Sequence, residues 1–114
     1  MRDCIFCQIA HHDIESTILY ENDQVIAFKD IDPQAPTHVL IVPKQHIASL
    51  VDLKDHQTEI LQQLFIAAQH VAAQENIAYS GFRIVLNCNP DGGQTVYHLH
   101  AHILGGRKMN WPPG

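Results

Sequence analysis

Residues 98–104 read His98-Leu99-His100-Ala101-His102-Ile103-Leu104, and they are where the chain's chemistry concentrates. Successive side chains of a strand point to opposite faces, so His98, His100 and His102 would share one surface and Leu99, Ala101 and Ile103 the other. Imidazole at three successive same-face positions brings no packing advantage, so the pattern points to a reaction or a ligand. Neutral imidazole is a ready zinc ligand. Alternatively, one ring is a nucleophile oriented through a hydrogen bond from its other nitrogen. Same-face neighbours on a strand lie about 6.6 Å apart, so three rings on one ion would require a bend. A division of labour, with one ring reacting and another supporting structure, fits a regular strand more easily. A second group, Cys4-Ile5-Phe6-Cys7, has the C-x-x-C spacing with which two thiolates hold a tetrahedral ion. A redox role is weaker, because no thioredoxin-like strand precedes it. Cys88 reads as a core thiol.

The elements that must position these residues follow from periodicity and turn chemistry. A short N-terminal helix is expected from an Asp3 cap through Ile9, with Ile5, Phe6 and Ile9 on one side. Ser16–Glu21 and Gln24–Lys29 read as strands joined by an Asn22-Asp23 turn. Thr37–Val42 is a third strand between Pro36 and Pro43. One long helix is predicted from about Asp55 to Asn76, its apolar stripe formed by Ile60, Leu61, Leu64, Phe65, Ala68, Val71 and Ala72. Phe82–Cys88 and Tyr97–Leu104 complete five strands, separated by the turn sequence Asn89-Pro90-Asp91-Gly92-Gly93. The fold class is α+β, a five-stranded antiparallel sheet with one long and one short helix.

With 114 residues, the chain suits a single domain spanning 1–114. A core this small would gain from a metal or a partner subunit. Seven basic against twelve acidic residues argue against an extended nucleic-acid footprint. No apolar run approaches a membrane span, and the start lacks the apolar stretch of a secretory signal, so a cytoplasmic protein without membrane partners is expected.

The triad, preceded by Asp91-Gly92-Gly93-Gln94-Thr95 and followed by Gly105-Gly106-Arg107, resembles the histidine triad (HIT) family of nucleotide hydrolases and transferases. Cys4 to Ile9, Phe28-Lys29-Asp30-Ile31, Pro33 to His38 and the terminal Trp111-Pro112-Pro113-Gly114 are similar to its Hint branch. That resemblance implies a hydrolase of purine nucleoside phosphoramidates or aminoacyl-adenylates. His100 would attack the α-phosphorus and carry the nucleotidyl group until water releases a nucleoside monophosphate. His102 would contact the phosphate or leaving group and aid proton transfer, and His38 would join the same polar cluster. The expelled amine needs a proton, and no carboxylate cluster suits a catalytic metal. Gly92, Gly93, Gln94 and Thr95 could therefore supply donors to the phosphoryl oxygens. Thr95 stands where the branch commonly has Ser.

By the same resemblance, Ile5, Phe6, Ile9, Phe28, Asp30 and Ile31 would enclose base and ribose, with Asp30 accepting from ribose hydroxyls and Asn87 near ribose or phosphate. Without the triad, the Ile and Phe residues would read as ordinary core. Some family members bind zinc through two cysteines, a histidine after the third strand and the first triad histidine; here those are Cys4, Cys7, His46 and His98. The ion would be structural. A twofold homodimer is implied, with the tail 105–114 docking at its interface. Two alternatives stand beside this reading: a dinucleoside polyphosphate hydrolase, which the Trp-Pro-Pro-Gly ending disfavours, and a non-catalytic nucleotide- or zinc-binding interaction protein.

Overall fold

The computed structural model describes residues 3–114. In chain order it has α1 (Ile5–Ala10), β1 (Ile18–Glu21), β2 (Val25–Lys29), β3 (Thr37–Pro43), the long helix α2 (Glu59–Gln74), β4 (Phe82–Val85), a single turn α3 (Asn89–Gly92) and β5 (Ala101–Gly105). The strands form one antiparallel sheet in the order β1-β2-β3-β5-β4. The last strand in sequence therefore sits inside the sheet, between β3 and β4.

Alternation along the inner strands divides the core between two faces. Val25, Ala27, Val39, Ile41, Leu99 and Ile103 pack under α2. Ile26, Phe28, Leu40 and Val42 pack against Phe6, Ile9 and Ala10 of α1. β3 is buried along its whole length, so its apolar residues run without alternation from Val39 to Pro43 and even the polar Thr37 and His38 lie inside. The Asn22-Asp23 turn closes as expected, with Asn22 Oδ1 accepting from the Gln24 and Val25 amides at 2.8 and 3.0 Å.

Several boundaries differ from the sequence expectation. The cap of α1 is Cys4, whose Sγ accepts from the Cys7 amide at 3.4 Å. The long helix begins at Glu59, after a separate 3-10 turn at Asp55–Gln57. Phe65, counted in its apolar stripe, is 57% exposed, while Ala67 is buried in its place. Residues 89–92 form a helical turn that ends on Gly93 at φ 84°, a left-handed conformation suited to glycine.

The largest difference is at β5, whose ladder starts at Ala101 and leaves His98, Leu99 and His100 ahead of it. This approach segment bonds to the loop after β3 instead. The Leu99 amide donates to the Ile47 carbonyl at 2.7 Å, and the Gln94 side chain donates to the Ala48 carbonyl at 2.8 Å. These bonds hold the approach to β5 against that loop without a ladder, so strand-like alternation persists where no strand is paired.

Candidate functional site

Leu99 and Ile103 are buried on the α2 face, whereas the three histidines face α1. The Phe6 ring meets the rings of His98 and His100 edge-on, at centroid separations of 6.0 and 5.1 Å. The expected sharing of one face holds, yet each ring has a different environment.

His98 is fully buried. Its Nδ1 lies 3.2 Å from Cys4 Sγ and 3.4 Å from Cys7 Sγ, and His46 Nδ1 lies 3.3 Å from Cys7 Sγ. All four ligand atoms fall within 4.8 Å of one another. A tetrahedron built on ordinary zinc–sulfur and zinc–nitrogen distances has edges of about 3.5 Å, so this donor set fits a closed zinc site. His98 Nε2 donates to the Pro43 carbonyl at 2.8 Å, which leaves the lone pair on Nδ1, where the thiols are. Burial pushes the His98 pKa down to about 4, keeping the ring in its neutral, ligating form. Burial and the neighbouring Cys4 push the Cys7 thiol up, so cation binding there displaces a proton.

His100 is 5% exposed, and its Nδ1 donates to the His98 carbonyl at 2.7 Å. That bond fixes the tautomer and leaves the lone pair on Nε2. Burial lowers its pKa, which keeps the ring unprotonated at neutral pH. His102 belongs to a third environment: its Nδ1 lies 2.9 Å from His38 Nε2, and Asp30 Oδ2 lies 3.4 Å from the same nitrogen. Burial, reinforced by His100 and His38, pushes the His102 pKa to about 4.

A cavity of about 360 Å³ opens in front of His100 and His102, within the range of small-ligand sites. Of the residues expected to enclose a nucleotide, Ile5, Phe6, Ile9, Phe28, Asp30, Ile31 and Thr95 line it. His38, Asn87, Gly93 and Gln94 lie outside its lining. The Gly93 and Gln94 amides donate to the Pro90 and Asn89 carbonyls, and the Gln94 side chain bonds only backbone groups. Of the sequence 92–95, Thr95 is the residue in the cavity wall. Sequence reasoning missed Ile14, Glu15, Ser16, Lys29, Leu40 and Val96, which also line it. Residues 14–16 come there because the Lys29 amide donates to the Thr17 carbonyl, laying the approach to β1 along the pocket end of β2. Only the hairpin register could have indicated this.

A family model described as the HIT domain matches residues 11–109. A 14 kDa zinc-binding protein of Zea mays is 49% identical over 112 residues, covering 96% of this chain and 87% of the relative. A protein of Arabidopsis thaliana named adenylylsulfatase HINT1 is 47% identical, covering 96% of this chain and 76% of that one. The crystal structure of a HIT family hydrolase from Legionella pneumophila superposes with a TM-score of 0.94 at 49% identity, covering 98% of this chain and all of that one.

Proposed function

This chain belongs to the histidine triad family, and we propose that it is a nucleotide hydrolase that cleaves purine nucleoside phosphoramidates through a nucleotidyl-histidine intermediate. One observation carries the reading: His100 has one ring nitrogen committed to the His98 carbonyl and the other free, in a ring that lines an apolar cavity. A neutral imidazole so oriented is a competent nucleophile. Its Nε2 forms a bond to phosphorus as the P–N bond breaks, and the departing amine takes up one proton. Water then attacks the same phosphorus, the P–Nε2 bond breaks, and one proton is released with the nucleoside monophosphate. Thr95 and His102, in the cavity wall, would face the phosphate, while Phe6, Phe28 and Ile9 would hold the base and Asp30 would accept from the ribose.

The name of the Arabidopsis relative favours a second leaving group, sulfate in place of an amine, with the same adenylyl transfer to histidine. Cys4, Cys7, His46 and His98 would hold a structural zinc ion, which supplies cross-linking and no catalytic step. We further propose a homodimer, supported by an apolar groove between α2 and β4 that Phe65, Ile84 and Leu86 help to line. Trp111 supports it too, because within one chain it stays 81% exposed beside Arg83. No described helix is long and apolar enough to cross a membrane, and a cytoplasmic location is part of the same proposal.

The test is release of AMP from an adenosine phosphoramidate, run beside adenylyl sulfate and diadenosine tetraphosphate. His100→Ala is expected to lose roughly 10³-fold or more in turnover with its circular dichroism unchanged. Mass spectrometry of quenched wild-type reactions should detect protein carrying one adenylyl group. Absence of AMP release from every substrate, or release unaffected by His100→Ala, would overturn the reading.

A further inference from the structure

His38 has no place in the cavity wall, yet it is buried and bonded on both sides of its ring. The Gln34 backbone amide donates to its Nδ1 at 3.0 Å. A backbone N–H can only donate, so this nitrogen must hold a lone pair and the ring's proton must sit on Nε2. At 2.9 Å that Nε2–H meets His102 Nδ1, which must then accept. The proton of His102 is thereby placed on its own Nε2. We infer that His38 is a positioning residue that fixes His102 as the Nε2–H tautomer, making His102 a hydrogen-bond donor to the phosphoryl oxygens of the substrate.

The same bonding decides between two uses of the Asp30, His38 and His102 group, whose ligand atoms all lie within 4.8 Å of one another. Two imidazoles and a carboxylate resemble a metal site. A metal on His38 Nε2 would have to displace the ring's only proton, because Nδ1 already accepts from Gln34. The His98 group has the opposite arrangement, its outer nitrogen donating to a carbonyl as a ligating histidine's does. One cluster is therefore built for an ion and the other for a chain of directed protons. Asp30 Oδ2, 3.4 Å from His38 Nε2, reinforces the Nε2–H form by offering it a second acceptor.

In its kinetic part this inference rests on the phosphoramidate reading; the tautomer itself does not. Long-range ¹H–¹⁵N correlation on the zinc-loaded, ¹⁵N-labelled protein at pH 7 reports which ring nitrogen carries each proton. His38 and His102 are expected to be protonated at Nε2, with His100 protonated at Nδ1 as the internal contrast. His102 protonated at Nδ1, or exchanging between tautomers, overturns the inference whether or not the protein turns over a phosphoramidate. His38→Leu should let His102 exchange between tautomers and lower kcat roughly ten- to a hundredfold, with KM little changed. His38→Gln, whose side-chain amide can donate to His102 Nδ1, should restore most of both signals. A purely packing role predicts the reverse, because leucine suits a buried site better than glutamine. Equal kcat for the two variants would also overturn the assignment. If His38→Leu does not fold, the wild-type tautomers and the His38→Gln rate decide the matter.

Discussion

At the residue scale, His98 links two functions that its sequence position alone does not connect. Its ring faces the two thiols, while its carbonyl accepts a hydrogen bond from the His100 ring two residues later. Displacement of His98 therefore disturbs both the metal group and the orientation of the His100 ring. His102 gives a testable pH dependence. Its folded-state pKa is about 4 against an ordinary 6.5, so the folded protein binds fewer protons than the unfolded chain between those values. The sign follows: the contribution to stability is full above about pH 6.5 and is lost as the pH falls toward 4, at about 1.4 kcal/mol per pH unit. Urea unfolding across this window should show a slope in wild type that exceeds that of His102→Asn by about one proton. Equal slopes would show that His102 is not held neutral by burial. The comparison cancels acid release of zinc, which both proteins share.

At the element scale, α1 serves two sites with six residues. Cys4 and Cys7, its cap and third residue, face the metal group, and Ile5, Phe6 and Ile9 line the cavity. Metal and the proposed nucleotide should consequently be linked: zinc on Cys4 and Cys7 would hold α1 against the sheet, and a nucleotide in the cavity would pack on the same helix. By reciprocity, each must strengthen the other's binding by the same factor. Chelation of the purified protein is expected to lower the melting temperature by on the order of 10 °C and to weaken AMP binding several-fold by calorimetry. Cys7→Ser should do both without chelator. Unchanged AMP affinity after complete zinc removal would separate the two sites. The N-terminal helix was legible from the 3–4 spacing of Ile5, Phe6 and Ile9; its cap was not, because a thiol is an uncommon acceptor and Asp3 had the conventional chemistry.

At the scale of the whole molecule, a small core is divided by a sheet with one helix on each face, and its edge strands remain partly exposed. Phe65 was legible as apolar but misplaced as core. In the structure it stands over the groove beside Ile84 and Leu86, where a second copy would cover it. Phe65→Glu is expected to shift the protein from dimer to monomer in light scattering at micromolar concentration, while the single-chain fold remains, since the side chain is already exposed. A wild-type monomer at that concentration, or an undisturbed dimer in the variant, would contradict the proposed assembly.

The amino-acid order by itself determined which side chains share a face. Period-2 alternation put three histidines opposite Leu99, Ala101 and Ile103, and period 3.6 marked the long helix, because both periods are local properties of the backbone. Periodicity alone could not determine which distant groups would bond; the meeting of Cys4, Cys7, His46 and His98, and of His38 with the triad, was expected only through the family resemblance. Cys4 meets His98 across 94 positions, and His38 meets His102 across 64. Those meetings exist because β5 is inserted beside β3 and the segment before it is tied to the loop after β3. The end of the ladder was equally hidden, since the amides at 94 and 99 had to find their partners before pairing could be seen to begin at Ala101. Strand order and hydrogen-bond partners are settled by the packing of the complete chain, and they give three similar imidazoles three different environments.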